Sequence, residues 1–480
     1  DAVHIYKSSN IQRFVDGTWS ANNLVDNVWG HYYEGIRAAN FYLKETAGLT
    51  FDEWKYSDDY EAIMKEFTNY QYEVRFLRAY FYFELIKRYR NIPFVLDVLA
   101  QNEANGVNPE SYEKIAKFIV DECSDLAQIL PVNYDNFSTK EKGRVTRAAA
   151  MALKSRVTLY MASPLFSEDS EDKWKQAAEA AYDIIKQKTD LGLDLVPYPQ
   201  IFNDVNNQKA EVILYRPTGE SGDFEKANFP IGVEGGKTST CPTQNLMEAY
   251  DMKDGTPFVW NNQSNPYDNR DPRMKYTIVC NEMKWPVDPV EIWEGGTNGL
   301  PLQNATTTGY YLKKYVNNTI SFEAGSTVTK KQHNWVLFRY GEILLNYAEA
   351  MINAFHDPNY KDAVYNMSAR EAVNQIRGRT NISLPGFPSD ITEKDFVKRL
   401  KNERRVELAF EGHRFWDVRR WKELGQTANI YGVKITKNNE VISYEKFLLE
   451  TRAVTDNMYF YPIPNTERFK NPNLGQNLGW

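Results

Sequence analysis

Apolar positions recur at helical spacing through the first third of the chain. Residues 32–45 and 70–90 are both long and periodic. In the second stretch Val74, Leu77, Phe81 and Leu85 mark one face, and Tyr80 and Phe83 widen it almost all round. A helix apolar on most sides is buried between neighbours. Asn91-Ile92-Pro93 ends it, because the residue before proline resists the helical region. A third helix is predicted over 111–130, with Ser111 as its N-cap and Pro131 beyond its end.

Two further pairs follow the same logic. Residues 145–162 and 173–188 carry Ala149, Ala152, Ala177, Ala178 and Ala181 where two helices would touch. Residues 338–354 and 363–378 repeat this with Ala348, Ala350, Ala369 and Ala372. Small residues in paired helices suggest tetratricopeptide-type units, but the spacing varies and no strict repeat survives. Residues 190–335 differ. Gly, Pro, Asn and Thr punctuate short segments such as 212–215 and 277–279, which read as strands in an irregular region. The tail from 458 to 480 is also irregular, with Pro462, Pro464 and Pro472, and must be tied down by packing.

The densest charge lies over 401–421, KNERRVELAFEGHRFWDVRRW. Glu403, Glu407 and Glu411 recur every four residues and on a helix would share one face. Such a stripe beside Val406, Leu408 and Phe410 is either an ion-pair framework or a carboxylate active site. A glycosidase needs one carboxyl group with a raised pKa. Here Arg399, Arg404, Arg405 and Arg414 crowd the stripe and would lower it. The framework reading is preferred, with Glu407 and Glu411 expected to be paired with arginines.

Net charge is −7 and no basic tract occurs, which argues against nucleic acid as a partner. No run of eighteen apolar residues exists, so no helical membrane span is expected. Cys123, Cys241 and Cys280 are too scattered for a metal knuckle, and their disulfide status stays open. His4, His31, His333, His356 and His413 show no metal-pair spacing. Gly235-Gly236-Lys237-Thr238 lacks the earlier glycine of a phosphate loop, since Ile231 stands there. Gly219-Glu220-Ser221-Gly222 is out of frame for a nucleophile elbow. Neither a cofactor nor a metal is expected.

Aromatics make up 14% of the chain, with 31 Tyr and 11 Trp. Several stand in polar, loop-like settings: Trp19 beside Asn22 and Asn23, then Tyr267, Trp285, Trp293 and Trp335. Sugar rings stack on aromatic planes while amides bind their hydroxyls. Each ring is equally consistent with packing a loop onto the helices. As a group they point to some ligand-facing aromatic.

The order of motifs resembles the SusD/RagB family of outer-membrane nutrient-binding lipoproteins of Bacteroidetes. Ile36-Arg37-Ala38-Ala39-Asn40 is similar to its early helix, and Arg75-Phe76-Leu77-Arg78-Ala79-Tyr80 through Ile92-Pro93 to its next one. Pro242-Thr243-Gln244, Lys253-Asp254-Gly255 and Asn269-Arg270-Asp271-Pro272-Arg273 are similar to central landmarks. Phe338-Arg339-Tyr340-Gly341-Glu342 with Tyr347-Ala348-Glu349-Ala350, then Glu403-Arg404 to Glu411-Gly412, Tyr461-Pro462-Ile463-Pro464 and Asn471-Pro472-Asn473-Leu474 complete the series.

The resemblance implies a mostly α fold: a tetratricopeptide-like helix-pair scaffold with an irregular loop-rich region carrying short strands. It implies one domain over 1–480, with the scaffold at about 30–190 and 336–425, an irregular ligand-binding region at about 191–335, and an irregular tail over 426–480 packed on the scaffold. It implies no catalysis. It implies a surface-exposed glycan binder that delivers its ligand to a TonB-dependent, SusC-like transporter. The membrane would be reached through a lipidated cysteine upstream of Asp1. Trp19, Asn22, Tyr267, Trp285 and Trp293 fall in regions where the family holds sugar. Some relatives bind peptides, so a peptide ligand is the alternative, and a glycoside hydrolase using Glu403, Glu407 and Glu411 a more remote one.

Overall fold

The computed structural model describes residues 1–7, 9–137, 139, 141–168, 170–261, 265–323 and 329–480. The chain, read above as one domain, divides into two compact units. The first, a helical unit, holds residues 18–193, 420–422 and 455–480; the second, a mixed unit, holds 1–17, 194–419 and 423–454.

The helical unit is built from α1 (Trp29–Thr46), α2 (Tyr60–Tyr89), α3 (Tyr112–Ile129), α4 (Arg147–Ala162) and α5 (Glu171–Lys186). Each packs on the next in chain order. Ser111 does cap α3, its Oγ accepting from the Lys114 amide at 3.2 Å. Tyr112, Ile115, Ala116, Ile119, Cys123 and Leu126 then fall on one buried face at helical spacing. Ala149 and Ala152 on α4, and Ala177, Ala178 and Ala181 on α5, are buried as their spacing predicts. Small side chains there let the two helices approach closely.

α2 is longer than predicted. Its first half is only partly buried, and Leu77 stays 39% exposed, so the helix is enclosed only from Phe76 onward and not on every side.

In the mixed unit, β1 (Val212–Pro217) and β2 (Asn334–Arg339) pair antiparallel, with Tyr215 opposite Val336. Phe338 and Arg339, predicted helical, belong to β2. The run Trp335-Val336-Leu337-Phe338 is aromatic and aliphatic, which suits a pleated strand. α6 (Tyr340–Phe355) starts directly after it. α7 (Ala369–Arg377) begins later than predicted because Ser368 and Glu371 form a capping box.

α8 (Glu393–Glu407) ends inside the charged segment, and α9 (Arg414–Arg420) starts anew. Phe410 and Gly412, at φ 61° and 78°, break the helix between them. Glu411 therefore does not share a helix with Glu403 and Glu407, contrary to the four-residue spacing. The tail over 426–480 is not irregular throughout either. β3 (Asn429–Asn438) and β4 (Val441–Thr451) form a long hairpin. Its two-residue turn is Asn439-Glu440, with Asn439 at φ 54°, a conformation asparagine tolerates well.

Candidate functional site

The carboxylates of the charged segment converge although the helix breaks. Five cations (Arg273, Lys314, Arg339, Arg377, Arg379) meet five carboxylates (Glu211, Asp271, Glu403, Glu407, Glu411), every side chain at most 3% exposed. Glu407 is reached by Arg273 at 2.9 Å and by Arg339 and Arg379 at 2.8 Å each. Glu411 binds Lys314 at 2.8 Å and Arg339 at 2.7 Å. Burial alone would raise these glutamates, but the surrounding cations overcome it and hold Glu403, Glu407 and Glu411 below the ordinary carboxylate range. Glu407 and Glu411 are thus paired with arginines as expected.

The partners, however, are not the arginines nearby in sequence. Arg404 binds Asp417 at 2.9 Å, Arg405 binds Asp1 at 2.5 Å, and Arg399 lies 3.5 Å from Asp251. Arg414 donates to Gln426 at 3.2 Å.

A cleft of about 370 Å³ opens in the mixed unit, wholly within residues 199–333. The short strand Ile278–Val279 pairs with Tyr311–Leu312, and the Thr277 carbonyl accepts from the amides of Lys313 and Lys314. That pairing fixes Lys313, Lys314 and Tyr315 as one wall. Tyr315 sits at φ 67°, a conformation that costs a non-glycine residue on the order of 1 kcal/mol. Its ring is locked edge-on to Phe202 at 5.0 Å and against Trp335 at 4.9 Å. Tyr276 and Trp285 add further aromatic surface. Asn203, Asn317, Asn318 and Thr319 supply amides and a hydroxyl. Aromatic faces beside amides are what sugar recognition requires. A larger groove of about 850 Å³ runs beside α8, but charged side chains such as Lys398, Arg399 and Asp395 dominate it and Phe258 is its aromatic contribution.

The five aromatics and amides singled out from sequence are not gathered in one unit. Trp285 lines the cleft, yet it is only 6% exposed and its indole N–H finds no acceptor among the described residues. Tyr267 and Trp293 are half-buried and pack against the same core cluster as Trp285. Tyr267 stands edge-on to Tyr444 at 5.4 Å, and the Lys437 ammonium lies 4.5 Å over Trp293. Trp19 and Asn22 belong to the helical unit. Trp19 is 4% exposed, clasped edge-on by Tyr461 at 4.8 Å and Trp480 at 4.9 Å. Asn22 is exposed, and its side-chain oxygen accepts from Asn465 at 2.8 Å. Trp19 and Asn22 therefore fasten the C-terminal segment, as the sequence demanded some group must.

The sequence reading missed a group of open rings in the loop after α1. Between α1 and α2, Phe51 stacks on Trp54 at 5.4 Å and 23°, and Phe51 is itself anchored edge-on to Phe67 of α2 at 4.9 Å. Half of Trp54 (49%) remains exposed, and Tyr56 is 88% exposed. The available signal was a Trp and a Tyr among Gly48, Asp52, Asp58 and Asp59 in an inter-helix loop.

The chain's fold matches a known class of protein. The SusD family profile matches residues 201–480, and one described as starch-binding associating with outer membrane matches residues 1–159. The chain belongs to the SusD family. It is 22% identical over 477 residues to SusD-like protein P2 of Formosa agariphila, covering 95% of this chain and 80% of that one. A SusD-like protein of Bacteroides fragilis is 26% identical with a TM-score of 0.80, covering 100% of this chain and 92% of that one. A SusD-like carbohydrate binding protein of the same organism is 25% identical with a TM-score of 0.79, covering 98% and 89%.

Proposed function

We propose that this protein is a non-catalytic glycan binder at the outer-membrane surface that hands its ligand to a TonB-dependent transporter. The observation that carries the glycan reading is the open aromatic surface of the loop between α1 and α2, where Phe51 stacks on Trp54 and Tyr56 stands exposed two residues on. One ring is braced against α2, and two are left open to solvent. A pyranose stacks on such rings, and water is displaced from both apolar faces. The Trp285 cleft offers a second surface of similar chemistry in the mixed unit. Membership of the SusD family supports the outer-membrane setting and the transporter partner.

Absence of catalysis rests on the carboxylates. A glycosidase acid must hold its proton near neutral pH. Glu403, Glu407 and Glu411 are buried in ion pairs that do the opposite. The test is calorimetry against a polysaccharide panel, run beside an assay for released reducing ends. Binding on the order of micromolar to millimolar, without turnover, is expected. Turnover, or binding of peptides in place of glycans, would refute the reading.

A further inference from the structure

We infer that the cleft of the mixed unit takes an acidic sugar, one bearing a carboxylate or a sulfate, and that Lys313 is the group that recognises the oxyanion. The inference rests on the glycan reading and deepens it by naming a ligand class.

The argument is a comparison of charges along one cleft. Lys314 is paired with Glu411 at 2.8 Å, Lys331 with Asp204 at 3.3 Å, and His333 with Glu225 at 2.9 Å. Lys313 lines the same cleft and has no carboxylate within ion-pair distance among the described residues. Its ammonium lies 4.9 Å over the Trp285 ring and 3.6 Å from the Met283 sulfur. An aromatic face and a thioether attract a cation, but neither neutralises it. The side chain is half-buried, so part of its hydration is already lost. Burial draws its pKa down, the Cys280 thiol opposing and Lys275 reinforcing the shift.

A partly desolvated cation without a counter-ion is costly, and an incoming oxyanion relieves that cost. A neutral sugar would leave Lys313 as it is. Around it, the exposed Asn318 and Thr319 can meet sugar hydroxyls, and the half-buried Tyr276 can meet a ring face. The cleft thus combines a point charge, amides and aromatic surface, the set that separates an acidic saccharide from a neutral one.

The test is calorimetry at low ionic strength with the full chain and two matched pairs. One pair is oligogalacturonate and its fully methyl-esterified form; the other is dextran sulfate and dextran. The unaltered protein is expected to prefer the acidic member of at least one pair by about tenfold, the effect of one charge-assisted hydrogen bond. Lys313→Met should abolish that preference at unchanged melting temperature. Lys313→Arg should retain it, and Lys253→Met, an exposed control that does not line the cleft, should leave it intact. Which pair shows the preference separates carboxylate from sulfate. Equal binding of acidic and neutral members, or a preference surviving in Lys313→Met, would overturn the inference while leaving the glycan reading in place. No binding of any glycan would overturn both.

Discussion

Arg339 holds Glu407 twice. Its Nη1 donates to the side-chain carboxylate at 2.8 Å, and its Nη2 donates to the main-chain carbonyl at 2.9 Å. Arg339 is the last residue of β2, and Glu407 the last of α8. One guanidinium therefore joins a strand end to a helix end and satisfies a carbonyl that the helix leaves open. The Tyr198 hydroxyl donates to the same carbonyl at 3.2 Å.

Removing this cation should be severe. Arg339→Met leaves Glu211, Glu407 and Glu411 each short of a buried partner. Breaking a buried pair from one side costs about 3–5 kcal/mol. Urea denaturation of the variant should show a loss of that size, and a loss below about 1 kcal/mol would mean the network is not a framework. Arg339→Met combined with Glu407→Gln should be less than additive.

Acid should find the same network. Burial opposes ionisation of Glu403, Glu407 and Glu411, but the cations win, so their folded pKa values lie below the ordinary 4.5. A depressed carboxylate stabilises fully above its unfolded pKa and loses that contribution as pH falls toward its folded one. The melting temperature should hold steady from about pH 7 to pH 5 and fall progressively below about pH 4.5. A melting temperature that rises on acidification through this window would contradict the assignment.

The three cysteines are free and buried. Burial pushes the Cys241 and Cys280 thiols up to about 12 and Cys123 higher still. Thiolate is the reactive form. A thiol-specific reagent should therefore label none of them in the folded protein at pH 8 and all three in denaturant.

The aromatic residues should divide by stability. Trp19→Ala removes the ring that Tyr461 and Trp480 close upon and should cost about 3–5 kcal/mol. Tyr56→Ala, at an exposed position, should change stability by no more than about 0.5 kcal/mol. Trp285 is both core and cleft wall, so Trp285→Phe is the informative change there. Chemical denaturation orders these variants, and the opposite order for Trp19 and Tyr56 would contradict the packing described.

Helices were legible where periodicity and caps agree, as at Ser111 and along α4 and α5. Strand β2 was hidden because an apolar run such as Trp335 to Phe338 fits a buried helix or a strand equally well. The hairpin was announced only by the short Asn438-Asn439 signal. Glu403, Glu407 and Glu411 were visible as a set, but their true partners are Arg273, Lys314, Arg339, Arg377 and Arg379, which pairing of distant segments brings in. Exposure was least legible. A Trp followed by polar residues describes the buried Trp19 and the open Trp54 alike, and only the packing of Tyr461 and Trp480 separates them.

The glycan reading is tested most directly by titration calorimetry of the unaltered chain and of the Trp54→Ala/Tyr56→Ala double variant, which removes the two exposed loop rings, against neutral polysaccharides. The account predicts binding by the unaltered chain on the order of micromolar to millimolar and a loss of about tenfold or more in the variant, with an unchanged melting temperature. A variant that binds as the unaltered chain does, or an unaltered chain that binds no glycan, would contradict it.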